Sequence, residues 1–159
     1  MEWLLGNEPK EKTANREYVA LLNAALQDAH TSNSKLLSSK TLELSKRINP
    51  DFEGESFDDL FRHVSNLSDV LPHFALARKK HEASVYGLLA RNCSQSDEPN
   101  IRRLSDEFLQ RALWTIEEIA AAGLAVARDT ILNNPNLKWV RQTAEFKKRW
   151  AELFPSKQD

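Results

Sequence analysis

"PNIRRLSDEFLQRALWTIEEIAAAGLAVARDTIL", residues 99–132, decides the fold class. Pro99 suits the first turn of a helix, where its missing amide hydrogen costs nothing. From there Ile101, Leu104, Phe108, Ala112, Ile116, Ile119, Gly123 and Val126 recur at helical spacing and line one face. A second stripe of Trp114, Ala121, Ala125 and Leu132 predicts burial on the opposite side as well. Read as one helix over 99–133, with a bend at Gly123, the segment would span about 50 Å at 1.5 Å per residue. Burial on two sides makes it the expected central helix.

The same period recurs on both sides of this segment. Upstream, helices are expected over 15–30, 33–48, from Ser56 toward Leu71, and from Pro72 to about Asn92. "HTSNS" at 30–34 separates the first two with polar cap-forming residues. Asn49-Pro50 closes the second, because a residue before proline is disfavoured in helical geometry. Ser56 with Asp59 three residues on has the form of a capping box. Pro72 should break or kink the chain. Downstream, "NNPN" at 133–136 ends the long helix, and Pro135 opens a last one to about Phe154. No β-branched run alternates with polar residues, and neither Asn-Gly nor Asp-Gly occurs. The expectation is an all-α, single-domain antiparallel bundle of five to six helices over 15–155. Residues 1–14 would form an extension with a short apolar segment, and 156–159 a tail.

Composition narrows the function. The 159 residues carry 22 basic and 23 acidic side chains, a net charge of −1. Such a balance supplies no global pull toward nucleic acid or an anionic membrane. Cys93 is the single cysteine, so no internal disulfide can form. "MEWLLGNEPK" lacks the basic start and apolar core of a signal peptide, and the location expected from these features is cytoplasmic.

The densest chemical stretch is "LPHFALARKKHE", 71–82. On a helical wheel Arg78 and His81 fall with the apolar residues, while Lys79 and Lys80 fan away. The basic cluster is therefore not one phosphate-tracking patch. Arg78 and His81, one turn apart, are the candidate catalytic pair: an arginine to hold a phosphodiester and a histidine to move a proton. A ribonuclease-like or nucleic-acid-binding bundle is the alternative this pair supports. HEPN ribonucleases place arginine and histidine further apart on one helix, so "RKKH" at 78–81 departs from their pattern. The bland reading is an arginine snorkelling from the core edge beside a hydrogen-bonded histidine.

Metal, cofactor and nucleophile chemistry have little to stand on. No histidine has an acid three residues before it, as a di-iron bundle needs. Asp59–His63 and Asp69–His73 are each half a metal site at most. His30 and Lys35 are divided by a helix-ending run, unlike a phosphotransfer histidine and its lysine. Cys93 falls at a helix C-terminus, which does not favour a thiolate. No glycine-rich phosphate loop or nucleophile elbow is present. Glu117-Glu118 reads as a polar helix face. No metal or cofactor is expected.

A positive signal comes from the last helix, "NLKWVRQTAEFKKRWAELF", 136–154. Its apolar arc is about 200° wide, against the roughly 100° that one core contact requires. Trp139, Phe146 and Trp150 are candidates for a partner or self-association surface, with Lys147, Lys148 and Arg149 orienting an acidic partner. The competing reading folds Trp3-Leu4-Leu5 back over these aromatics. The expected function is thus non-enzymatic: protein–protein interaction as an adaptor, regulatory or assembly subunit, with no membrane contact.

Overall fold

The computed structural model describes the backbone of residues 2–68 and 75–155 and the side chains of 16–65 and 75–155. The protein is all-α, 79% helical. The described residues form eight α-helices and no named strand, with one isolated bridge between Leu36 and Ser56. Three expectations lie outside the described residues: the break at Pro72, the Asp69–His73 pair and the tail at 156–159. So does the cover of the aromatics by the side chains of Trp3, Leu4 and Leu5.

Helix α1 runs from Glu2 to Thr31, so residues 2–14 of the expected extension are continuous with it. "NEPKEK" is polar but rich in helix-forming Glu and Lys, and absence of an apolar stripe was no evidence against a helix there. Helix α2, Ser39–Ile48, starts later than expected. Serines divert the preceding residues into local bonds. Ser32 Oγ accepts from Ser34 N at 3.1 Å, and Ser38 Oγ accepts from Thr41 N at 3.2 Å as the N-cap. The chain between is pinned to the loop before α3, with Leu37 N donating to Glu55 O and Phe57 N to Lys35 O, both at 2.9 Å.

Helix α3, Phe57–Ser68, opens with the expected capping box. Asp59 N donates to Ser56 Oγ at 3.1 Å, and Asp59 Oδ2 accepts from Glu55 N and Ser56 N at 3.1 and 3.3 Å. Those bonds, the one from Glu55 first, hold the Asp59 carboxyl below its usual value.

Helix α4, Ala75–Ser94, and not the 99–133 segment, is the central one. It packs against α1, α3 and α5, Pro99–Ala120, and against the chain after Pro135. Ala83 through Ala90 are buried without a break. The chain after Pro135 approaches closely over Gly87, where a Cβ would stand 2.9 Å from Leu137 Cδ2 and 3.0 Å from Val140 Cγ2.

The expected single helix over 99–133 is interrupted. Helix α5 stops at Ala120, and Gly123 takes φ 118°, a conformation L side chains rarely adopt. A short α6, Leu124–Ala127, leads into a π-helical turn, Arg128–Leu132, and a 3-10 turn, Pro135–Leu137. The second stripe is also corrected: Trp114 is 62% exposed, and Ala121 and Ala125 are exposed too. The last expected helix divides into α7, Lys138–Arg141, and α8, Ala144–Leu153. Thr143 causes the division by capping α8, its Oγ accepting from Phe146 N at 3.2 Å.

Side chains close the remaining helix ends. Asn92 Nδ2 reaches carbonyls at the end of α1 and just beyond it, at 2.8 Å from Ala29 O, 3.2 Å from His30 O and 2.9 Å from Ser32 O. Arg141 Nη1 donates to Ile131 O at 2.8 Å and Asn134 O at 2.5 Å, tying α7 back to the π turn and to the residue that precedes the 3-10 turn.

Candidate functional site

Arg78 and His81 share α4 but not a site. Arg78 is 8% exposed, and its Nη1 donates to Glu82 Oε2 one turn on at 2.6 Å. It lines a polar hollow of about 260 Å³ between α3, α4 and α5. Two further ionic groups meet there. Asp58 accepts from the Tyr86 hydroxyl and from Arg111 Nη2, the latter at 3.2 Å. Glu118 pairs with Lys79 at 3.8 Å. Burial pushes the Glu82 carboxyl up, Arg78 opposes that and Glu118 adds to it. Burial, then the bond to Asp58, pushes the Tyr86 hydroxyl up as well. Nearly every charge in this hollow has its counter-charge within the fold, which is the arrangement that makes buried ions tolerable. Arg78 Nε is sealed and has no partner.

His81 turns the other way, toward α1. Its Nδ1 lies 2.9 Å from Ala77 O and its Nε2 3.0 Å from Asn23 Oδ1. Ala77 O can only accept, so Nδ1 donates to it, and the bond at Nε2 runs in the direction set by the orientation of the Asn23 amide. His81 borders a second hollow, of about 280 Å³, between α1, α4 and the π turn. The catalytic candidates therefore open on different hollows. An arginine and a histidine acting on one phosphodiester must converge on it, and these two diverge.

The half metal site at Asp59 is spent on capping. Both of its oxygens face donors within its own turn, Arg62 at 3.7 Å included. His63 packs its ring on Phe52, centroids 5.5 Å apart, and Nε2 is sealed without a partner. Burial lowers its pKa. Among the described residues no group of three His, Cys, Asp or Glu could hold a metal ion. Cys93 is buried, and burial raises its thiol pKa.

The six C-terminal candidates divide by environment. Phe146 is 5% exposed and belongs to the core, so it is not a surface contact. Trp150 stacks on it at 5.6 Å, Phe154 packs on Trp150 at 4.6 Å, and Trp139 is half-buried against the core. Arg149 is an internal tie: Nη1 donates to Glu117 Oε1 at 2.8 Å and Nη2 to Gln110 Oε1 at 2.6 Å. Lys147 and Lys148 are exposed. The aromatics are thus wholly or half buried against the core, while Arg149 ties α8 to α5, contacts no wheel of one helix could reveal.

Trp114 escaped the sequence reading. Its neighbours one turn away on α5 are Gln110, Arg111, Glu117 and Glu118. That polar setting at i±3 and i±4 was the available signal that the indole faces outward. Gln110 and Glu117, which bracket it, are the two residues Arg149 holds, so α8 borders the Trp114 face. Comparison with known proteins found no matching family model, no similar curated protein and no similar solved structure.

Proposed function

We propose that the chain is a single-domain antiparallel helical bundle that works by binding another protein, as an adaptor, regulatory or assembly subunit. The antiparallel reading is supported by the four-residue connection between α4 and α5, which pack along one another. The partner surface is the α5 face around Trp114, continued by the exposed edge of α8. One observation carries this reading: a tryptophan left 62% exposed on a regular helix. A large exposed indole ringed by charged groups is the make-up of an interface anchor, with an apolar centre and a polar rim. Lys147 and Lys148 lie exposed on the bordering helix, and favour acidic residues on the partner beside its apolar contact. No described helix is long and apolar enough to cross a membrane, and a cytoplasmic role is part of this proposal. The ribonuclease-like alternative draws no support from an Arg78 and a His81 that face apart.

The test is Trp114→Ser. The side chain is exposed, so the variant should keep its helix content and melting temperature. Against wild type it should lose solution mass, if the partner is a second copy, or lose a particular protein captured from native lysate. Unchanged mass together with an unchanged set of captured proteins would sink the reading.

A further inference from the structure

We propose that the hollow beside His81 is a binding site for a small zwitterion, namely a free α-amino acid with an aliphatic side chain. Two independent features point to a ligand. The first is the wall built by the π-helical turn Arg128–Leu132. Such turns are rare and recur at functional sites. The second is a set of polar side chains left idle around apolar ones. Leu26 and Pro135 supply the apolar part of the lining. Lys80 on α4 and Asp129 on the π turn stand on different walls, and neither forms an ion pair or side-chain hydrogen bond with any described residue. The side-chain amides of Asn133 and Asn136 are idle in the same sense.

The charges select the ligand. An anion alone would sit near the Asp129 carboxylate, and a cation alone near the Lys80 ammonium. A ligand carrying both charges pairs a carboxylate with Lys80 and an ammonium with Asp129, and leaves neither opposed. Asn133 and Asn136 can donate to that carboxylate or accept from that ammonium. An aliphatic side chain then covers Leu26 and Pro135. His81, held by Asn23 and Ala77 O, is wall and not ligand contact. The hollow, of about 280 Å³, has room for a ligand of leucine's size.

The experiment is a titration of the full chain with L-leucine, followed by its amide ¹H–¹⁵N signals. Signals from 80–84 and 129–136 should shift and saturate, with a Kd of about 1 mM. N-acetyl-leucine lacks the ammonium and leucine amide lacks the carboxylate. Each should bind about tenfold more weakly. Lys80→Met should weaken leucine and leave leucine amide unchanged, and Asp129→Asn should weaken leucine and leave N-acetyl-leucine unchanged. Both positions are exposed, so the variants keep the fold. The proposal is overturned if leucine moves none of these signals, if the three compounds bind alike, or if neither substitution alters leucine binding.

Discussion

Arg149 of α8 donates to Glu117 of α5 at 2.8 Å, and this pair holds the last helix against the body of the protein. Both side chains are partly exposed, at 29% and 37%. A double-mutant cycle of Arg149→Met and Glu117→Gln should therefore return a coupling of about 0.5–1 kcal/mol, the range for pairs water can reach. Hydrogen exchange over 144–153 should quicken in each single variant. Zero coupling would mean that α8 is held by the Arg149–Gln110 bond and the packing of Phe146 and Trp150, without help from Glu117.

Gly87→Ala sets two effects against each other. Alanine is the better helix former by about 1 kcal/mol. Its methyl would press on Leu137 and Val140, which are fully buried and have no room to retreat. Overpacking of this kind costs about 1–3 kcal/mol, so the net change should be destabilising by up to about 2 kcal/mol in urea unfolding. A variant more stable than wild type would show that α4 and the 3-10 turn can separate freely.

His63 gives a pH dependence of known sign. Burial lowers its pKa below the ordinary 6.5. The unfolded chain therefore takes up the proton first as pH falls, and stability present above about 6.5 is lost on acidification. His63→Leu keeps the packing on Phe52 and removes the titration. Between about pH 7 and pH 5 the variant should lose less stability than wild type, measured by urea midpoint. Parallel losses in the two proteins would count against a buried neutral His63. Asp59, held low by its capping bonds, acts in the same direction at more acid pH.

Asn92→Ala removes the amide that serves the end of α1. Two carbonyls, Ala29 O and Ser32 O, would lose their donor, at a cost of about 1–3 kcal/mol if they stay shielded from water. Helix α1 should then fray from its C-terminal end, which circular dichroism and exchange at 28–32 would both register.

What the sequence disclosed tracks whether a signal was local. Ser56 with Asp59 and the proline at 99 act within one turn, and both helix starts stand where those residues put them. The identity of the central helix was hidden because two residues of α4 resemble surface ones. Ser84 is buried, yet satisfied, donating to Lys80 O at 2.9 Å and accepting from Asn134 Nδ2 at 2.8 Å. Gly87 is a docking point for Leu137, not a helix flaw. Gly123 read as a bend, and its positive φ depends on where the chain must turn next. On the surface side, Phe146 and Trp114 exchanged roles: one wheel cannot show that the core takes in the first, and an apolar letter hid the exposure of the second.

The unbroken burial from Ala83 to Ala90 has a consequence for how this protein tolerates change. An amphipathic helix permits substitutions every third or fourth position, where it meets water. These eight positions have no wet side, so exhaustive substitution across them should reveal a solid block of intolerance with no helical rhythm. The rhythm should return at once in α5, where Arg102, Arg103, Asp106, Gln110 and Trp114 stand in solvent. Variation that reshapes this molecule's surface is thereby channelled into the outer helices, around an inner one that can alter only with its neighbours.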